Sequence, residues 1–238
     1  MRKLFRSFER RGLEYLLISG QATVLYGAAT FSEDVDLWIR PTAGNSQALL
    51  RALADQRARI HRLTPPLTER NMRFGHGFHF VVPGAPLEVY LDIMARPPRV
   101  GPFGTAKRRA RNIKTDWGTL PVVHPVDLVE IKKTRRLADY DIITNLVLLQ
   151  IAESPNPGKA TLQWAAKNCF RPEERAVISG RLGEHRTVAE CAKDIAREVA
   201  AFQAKDRAYW LPIISELREM RREGGLWPDR MLVQALTG

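Results

Sequence analysis

Two carboxylates separated by one residue, Asp34 and Asp36, form the part of this sequence best suited to chemistry. They fall in the apolar stretch 34–40, whose composition predicts a buried strand. Because side chains alternate between the faces of a strand, Asp34 and Asp36 should point the same way and repel each other. Mg²⁺ is typically held by one or two carboxylates together with substrate phosphates. The spacing therefore indicates a magnesium site, although two aspartates so spaced also occur by chance at strand edges.

A third carboxylate lies in a matching context. The segment 87–93 alternates like a strand and places Glu88, Tyr90 and Asp92 on one face. It follows Pro83-Gly84-Ala85-Pro86, a turn signal that predicts pairing with a strand over 78–82. Asp92 can join Asp34 and Asp36 if their strands are neighbours in one sheet.

The Ser19-Gly20 pair follows a predicted strand over 14–18 and precedes a predicted helix over 20–28. Backbone N–H groups at the start of a helix favour anions, so this turn is a candidate phosphate contact. The alternative is an ordinary tight turn, because glycine tolerates unusual backbone angles.

Together these segments resemble the signature of the DNA polymerase β-like nucleotidyltransferase superfamily, and look closest to its bacterial abortive-infection and toxin-type members. The usual form there is Gly-Gly-x-Ala, a later Gly, then Arg-x-Thr-x-Asp-x-Asp. The resemblance covers about residues 13–147, and Ser19 and Thr30 depart from it where relatives often have Gly and Arg. The matching blocks are Ile18-Ser19-Gly20-Gln21-Ala22, Tyr26-Gly27, residues 30–37, residues 121–133 and residues 139–142.

The resemblance implies an α/β (α+β) fold, a nucleotidyltransferase-type mixed sheet flanked by helices over residues 1–154. Beyond it, the helical pattern of the sequence predicts a C-terminal helical domain over 155–238. It implies that a nucleotide passes from a nucleoside triphosphate to an acceptor hydroxyl. One or two Mg²⁺ ions, for which Mn²⁺ could substitute, would be held by the three aspartates, and Asp92 would help deprotonate the hydroxyl. The implied site residues are Asp34, Asp36 and Asp92 for catalysis and metal, and Ser19, Gly20 and Lys132 for the nucleotide.

Lys132 matches the family's helix lysine, which implies a mobile point charge on the triphosphate. A solvent-facing helix residue is the alternative, and Lys133 would take the role if the helix were rotated. The toxin-type likeness also implies a phage-defence or toxin role with a cognate antitoxin or other protein partner.

The net charge of +11 favours a polyanionic partner. Five cations lie within the eight residues 107–114, and a second group lies within residues 2–11. Such clusters are typical of a solvated surface or of a nucleic-acid contact, and beside a phosphate-handling site they favour RNA, perhaps a tRNA end, as the acceptor. The candidate nucleic-acid contacts are Lys107, Arg108, Arg109, Arg111 and Lys114. A protein side chain or a small hydroxyl compound is the alternative acceptor, and a non-catalytic binding protein is the alternative function.

The sequence disfavours several classes of protein and of site. No apolar run approaches the roughly 20 residues of a membrane span, and no secretory signal is evident, so a cytoplasmic protein without membrane contact is expected. Cys169 and Cys191 are expected to be reduced thiols. His76 and His79 lack cysteine partners at zinc spacing.

The chain's organisation predicts where an acceptor would enter. Residues 154–158 form the best domain boundary, and helices are expected near 185–208 and 210–222 beyond it. Ligands often bind between domains, so we expect a cleft between the carboxylates and the C-terminal helices, bordered by the Pro/Gly-rich loop within 94–106. Four aromatic residues are expected to fill the helical core: Trp164, Phe202, Trp210 and Trp227.

Overall fold

The computed structural model describes residues 1–84 and 87–237, so Ala85 and Pro86 of the expected turn lie outside the described residues. The strands are β1 Tyr15–Ile18, β2 Val35–Ile39, β3 Arg59–Ile60, β4 Gly77–Val82, β5 Val89–Met94, β6 Arg111–Thr115 and β7 Gly118–Val122. The helices are α1 Arg2–Arg10, α2 Ser19–Leu25, α3 Ala43–Asp55, α4 Glu69–Phe74, α5 Phe103–Arg109, α6 Pro125–Lys132, α7 Ala138–Ala152, α8 Lys159–Asn168, α9 Pro172–Arg181 and α10 Val188–Arg222. A 3₁₀ helix, Val233–Leu236, follows.

The strands form one mixed sheet in the order β3-β4-β5-β2-β1-β7-β6. β2 pairs parallel with β5, and β1 pairs parallel with β7, whereas the other pairs are antiparallel. The central strands are apolar runs buried along almost their whole length. This architecture confirms the α/β class with a mixed sheet, flanking helices and a C-terminal helical region.

The two faces of the sheet have different environments. Phe5 and Phe8 of α1 pack on Tyr15, with ring centroids 5.8 and 5.5 Å away. Tyr15 and Asp36 point to opposite faces, since Asp36 pairs with Ile18, three residues along β1. Helix α1 therefore covers the face opposite to the one bearing Asp36, which we call the carboxylate face.

The C-terminal region differs from expectation in one respect. A single helix, α10, replaces the two helices expected near 185–208 and 210–222. It begins with a capping box between Thr187 and Glu190 and continues through Pro212. Proline cannot donate to the preceding turn, but Pro212 is exposed, so water can solvate the carbonyl left without that donor. The expectation of a break near residue 209 was wrong, because the helix continues through that point and through the exposed Pro212.

After α10 the chain returns to the sheet. Val233 donates its backbone N–H to the Ala58 carbonyl at 3.0 Å, and the Ile60 N–H donates to the Met231 carbonyl at 2.8 Å. Trp227 pairs with Thr64 and so lies beside the sheet, not in the helical core where it was expected. Phe202 does pack on Phe170 among the helices, with ring centroids 6.1 Å apart.

The segment after β5 is more ordered than expected. Helix α5 begins at Phe103, inside the predicted loop over 94–106. Its first residue packs edge-on against Trp38, with ring centroids 5.8 Å apart. Elsewhere, none of the helices in the described part of the chain has the length and apolar character to cross a membrane.

Candidate active site

Asp36 and Asp92 are the centre of the candidate site. β2 and β5 are adjacent parallel strands, and their register places Asp36 directly beside Asp92. Residues paired across neighbouring strands point to the same face, so both carboxylates project from the carboxylate face. Asp34 immediately precedes β2 and lies two residues before Asp36. The sheet therefore brings together the two aspartate-bearing segments that the sequence placed on separate strands.

The electrostatics show how closely these groups interact. Burial, reinforced by the charges of Asp92 and Asp34, raises the pKa of Asp36 to about 7. The positive charge of Lys132 and a hydrogen bond from the Gly20 backbone N–H act in the opposite direction. Burial and then the charge of Asp92 also raise the pKa of Asp34. The carboxylates repel one another, and the nearby cation only partly offsets this repulsion.

The donor set is compatible with Mg²⁺. Within residues 1–84 and 87–237 no three or more His, Cys, Asp and Glu side chains already form a metal cage. Mg²⁺ does not require one, since it commonly takes one or two carboxylates and completes its shell with waters and phosphate oxygens. The paired Asp36 and Asp92 supply such carboxylate oxygens, so the residues fit a site that the substrate completes.

His79 is a site residue that the sequence reasoning considered only as a zinc ligand. It faces Asp92 across the β4–β5 pair, and its Nδ1 lies 2.7 Å from Asp92 Oδ1. This contact fixes the orientation of the Asp92 carboxylate. The predicted hairpin contained part of the signal, because pairing 78–82 with 87–93 places His79 on the same sheet face as Tyr90 and Asp92, but the structure sets the register that puts His79 opposite Asp92.

The Ser19-Gly20 turn lies next to Asp36. Ser19 has a left-handed backbone, with φ of 53°, at the start of α2. A Cβ on Gly20 would overlap Oγ of Ser32, so close packing requires glycine here. The Gly20 backbone N–H helps to lower the pKa of Asp36. The turn thus has a structural reason for its glycine, and its contact with phosphate stays a prediction.

Lys132 and Lys133 are both buried, which corrects the expectation of a mobile or solvent-facing side chain at position 132. Lys132 Nζ lies 3.0 Å from Asp139 Oδ1, so α6 and α7 are joined by a buried ion pair. Lys133 pairs with Glu130, and its Nζ lies 4.6 Å from the Phe202 ring centroid. A buried ammonium is held by its partner because an unpaired one would be costly.

A cavity of about 250 Å³ lies between the carboxylate face and α10. We call it the apolar cavity, since most of its wall is hydrocarbon and none of its lining residues is Lys or Arg. It is where a cleft for the acceptor was expected, but the Pro97–Gly104 segment does not line it, contrary to expectation. Its lining includes Asp36, Asp92, His79, Met94, Trp210 and Ile213.

Polar contacts hold α10 over this cavity. The fully buried His76 places its Nε2 2.7 Å from Glu216 Oε2, and Tyr209 donates its hydroxyl to the Arg96 carbonyl. Asp206, also buried, lies 3.5 Å from Arg99 Nη1. These contacts hold α10 against the segments that precede β4 and follow β5.

The basic segment 107–114 is largely neutralised. Lys107 pairs with Glu14 at 3.0 Å and Arg109 with Asp127 at 2.6 Å. Arg111 forms two bonds to the Glu153 carboxylate. Among the described residues, Arg108 and Lys114 have no carboxylate within ion-pair distance, and Arg108 donates only to Thr105 Oγ1. Three of the five cations therefore serve as counterions within the fold, and contact of this segment with nucleic acid stays a prediction.

A second cavity, of about 520 Å³, lies at the other end of β2 and β5. The Pro97–Gly104 segment lines this one, together with the ends of both strands. We call it the arginine cavity, since its lining includes Arg40, Arg73 and Arg96 but no Asp or Glu.

Comparison with known proteins gives little information about the function of this chain. No protein-family model matches the chain, and no curated protein matches it. Among solved structures it is similar to JHP933 from Helicobacter pylori, with 11% identity, a TM-score of 0.40, and 90% of this chain and 94% of that chain covered. It is also similar to a protein of H. pylori provisionally described as a nucleotidyltransferase, with 12% identity, a TM-score of 0.44, and 87% and 93% covered. Likenesses this weak have no bearing on activity, which must rest on the site itself.

Proposed function

We propose that this protein is a Mg²⁺-dependent nucleotidyltransferase that transfers a nucleotide from a nucleoside triphosphate to a hydroxyl group of RNA. The observation that supports this is the in-register pairing of Asp36 and Asp92 on one sheet face. Burial and mutual repulsion raise the pKa of Asp36 to about 7, so the fold maintains an arrangement that destabilises it without a cation. A bound divalent ion would relieve that repulsion.

Each residue of the candidate site has a separate role in the proposed reaction. Mg²⁺ held by Asp34, Asp36 and Asp92 would neutralise negative charge on the triphosphate. The Ser19-Gly20 turn would lie against the phosphates. Asp92, held by His79, would accept the proton of the acceptor hydroxyl through a carboxylate oxygen. The hydroxyl oxygen bonds to the α-phosphorus, the bond from that phosphorus to the bridging oxygen breaks, and pyrophosphate leaves.

The buried Lys132 has a different role in this proposal from a mobile contact. Its charge lowers the pKa of Asp36 while its ammonium remains paired with Asp139. It therefore helps to keep Asp36 ionised and able to bind the metal. Contact between Lys132 and the triphosphate stays a prediction from the family resemblance.

The positive charge supports RNA as the acceptor, whereas the apolar cavity supports the alternative acceptor, a protein side chain or a small hydroxyl compound. The net charge of +11 and the arginine cavity favour a polyanion. The apolar cavity beside Asp92 lacks cations, which favours an apolar group on a protein or small hydroxyl compound. A nucleobase is also apolar on its faces, so RNA is compatible with both cavities.

The decisive experiment incubates the purified protein with each labelled triphosphate, Mg²⁺ and total cellular RNA. Parallel reactions replace the RNA with cellular protein or with small hydroxyl compounds. Label in RNA that is absent from the Asp36→Asn variant supports the proposal. Label only in protein or small molecules rejects the RNA acceptor, and no transfer to any acceptor favours the non-catalytic alternative.

The toxin or phage-defence role is a separate prediction. It requires that expression of the active protein slows growth, that Asp36→Asn removes this effect, and that a cognate antitoxin restores growth. Growth unaffected by the active protein would reject the role and leave the transferase proposal intact.

A further inference from the structure

The arginine cavity contains more positive charge than its surroundings neutralise. Arg40 and Lys107 share one carboxylate, Glu14, and Arg73 pairs with Glu69. The third lining arginine, Arg96, is exposed and has no carboxylate within ion-pair distance among the described residues. Three arginines thus line the cavity beside two carboxylates, one of which is shared with Lys107, so a net positive charge remains around it.

The Arg96 guanidinium is the least engaged of these groups. Within the described chain its side chain makes one long hydrogen bond, from Nη1 to the Arg73 carbonyl at 3.4 Å. Arginine has five N–H donors in a planar arrangement that matches phosphate oxygens. Most of its donors are therefore available to a ligand, and Arg73, whose side chain is 60% exposed, lies beside it.

The aromatic residues of this cavity restrict the class of ligand. Trp38 and Phe103 line it but are 1% and 4% exposed, and they pack edge-on against each other. Neither offers a free ring face on which a base could stack. The cavity is therefore suited to the phosphate part of a ligand and is poorly suited to a free nucleotide, which would bring its base with it.

The distance between the arginine cavity and the carboxylates decides whether one ligand can reach both. Arg96 lies four residues after Asp92, just beyond the end of β5, so their backbones are at most about 13 Å apart. The side chain of Trp38 in this cavity shares a sheet face with Asp36, two residues earlier in β2. A polyanionic strand several units long can reach both places.

We propose that the arginine cavity binds backbone phosphates of the RNA strand whose hydroxyl accepts the nucleotide. This inference rests on the proposed function for the identity of the strand. Its contacts are with phosphate, so the binding is independent of base sequence. It assigns the RNA-binding role to Arg73 and Arg96, two arginines well separated in sequence from the basic segment 107–114.

The test measures binding of a labelled single-stranded RNA oligonucleotide by fluorescence anisotropy across a salt series. The variant is Arg73→Gln with Arg96→Gln. The control is Arg51→Gln with Arg57→Gln, which removes the same charge from exposed arginines that line a different surface. Circular dichroism and thermal melting verify that each variant folds, and Arg96→Gln alone replaces the double variant if that one is unstable.

We expect the Arg73/Arg96 variant to bind RNA severalfold more weakly at low salt. The slope of log affinity against log salt should become shallower by about 0.7 for each phosphate that the variant no longer neutralises. The control should keep the wild-type slope. Equal slopes in the Arg73/Arg96 variant and wild type, or equal flattening in both double variants, would overturn the inference, since charge would then act diffusely.

Inorganic phosphate distinguishes a small anion from a strand. If it raises the melting temperature of the wild type alone, and RNA binding is the same in all variants, the cavity takes a small anion and the inference is wrong. Failure of the proposed function is separable. Asp36→Asn should lose transfer but keep RNA binding, whereas the Arg73/Arg96 variant should raise the KM for RNA and keep kcat.

Discussion

The acidic pair at Asp36 and Asp92 and the basic segment 107–114 are both clusters of like charge, but the fold uses them differently. The aspartates are brought side by side from separate strands, and their repulsion is only partly offset. Three of the five cations are instead drawn to separate carboxylates. A charge cluster that the tertiary structure neutralises supports the fold, whereas one that it concentrates and leaves unneutralised is a candidate for binding a ligand.

The largest effect should come from breaking the acidic pair. Asp36→Asn removes one of the two aligned carboxylates, so transfer of labelled nucleotide should fall by about a thousandfold, as when one preorganised electrostatic group is deleted. The far-ultraviolet circular dichroism should be unchanged. Substituting Asp55, an exposed carboxylate that pairs with Arg11, provides a matched control that should keep activity. Wild-type activity in Asp36→Asn would refute the metal role.

The next effect is on stability as a function of pH. The pKa of Asp36 is about 7 in the folded chain against an ordinary value of 3.8. The folded state binds this proton more tightly than the unfolded state does. Proton binding therefore adds to the free energy of unfolding in full below the unfolded pKa, and this contribution is lost as pH rises through 7. Three pKa units correspond to up to about 4 kcal/mol. Urea unfolding should show this decline in the wild type and not in Asp36→Asn.

Mg²⁺ should change the pH dependence of stability in the wild type only. Added Mg²⁺ binds the ionised carboxylates, so it should reduce the wild-type decline at neutral pH and leave Asp36→Asn unaffected. A pH dependence that is identical in the two proteins would show that Asp36 is not destabilised by its neighbours.

Within the basic segment, Arg109 and Arg108 should differ in stability. Arg109 pairs with Asp127, whose side chain is 6% exposed, whereas Arg108 donates only to Thr105. Arg109→Gln leaves a buried carboxylate without its counterion and should cost about 1 kcal/mol, because the half-exposed arginine is screened by water. Arg108→Gln should cost less than about 0.5 kcal/mol. Equal losses in chemical denaturation would remove the distinction between paired and free cations.

The smallest effect should be on RNA binding by this segment. Arg108→Gln with Lys114→Gln removes the two cations without a carboxylate partner, and should make the salt dependence of RNA binding slightly shallower. Arg109→Gln with Arg111→Gln removes cations already engaged within the fold and should leave that slope near the wild-type value. A larger loss of slope in the Arg109/Arg111 variant than in the Arg108/Lys114 variant would indicate that the paired cations of this segment contact RNA.

Much of the fold could be predicted from local pattern. The apolar run over 34–40 predicted β2, and the alternation over 87–93 predicted β5 and the shared face of Tyr90 and Asp92. Both signals are periodic within a few residues, so they survive without knowledge of the neighbours. The helix Val188–Arg222 was divided wrongly near residue 209, because the sequence alone does not show that packing carries one helix through this point and through the exposed Pro212.

Contacts between different helices and strands could not be predicted in this way. Nothing local to Lys132 shows that Asp139 will hold it in the interior. Nothing local to Arg109 shows that Asp127 will neutralise it. Ion pairs depend on which elements the packing brings together, and the sequence reasoning counted these residues as free charges.

The sequence by itself determined the strands, the face on which each aspartate lies and the excess of positive charge, since these follow from side-chain alternation and composition. Only the tertiary structure decided that β5 lies beside β2, so that Asp36 meets Asp92. It also decided which cations are left without partners, placing Arg96 at an open cavity and Lys132 in a buried pair. The reason is physical: alternation is a property of a single strand, whereas repulsion, burial and pairing are properties of neighbours that the chain acquires only on folding.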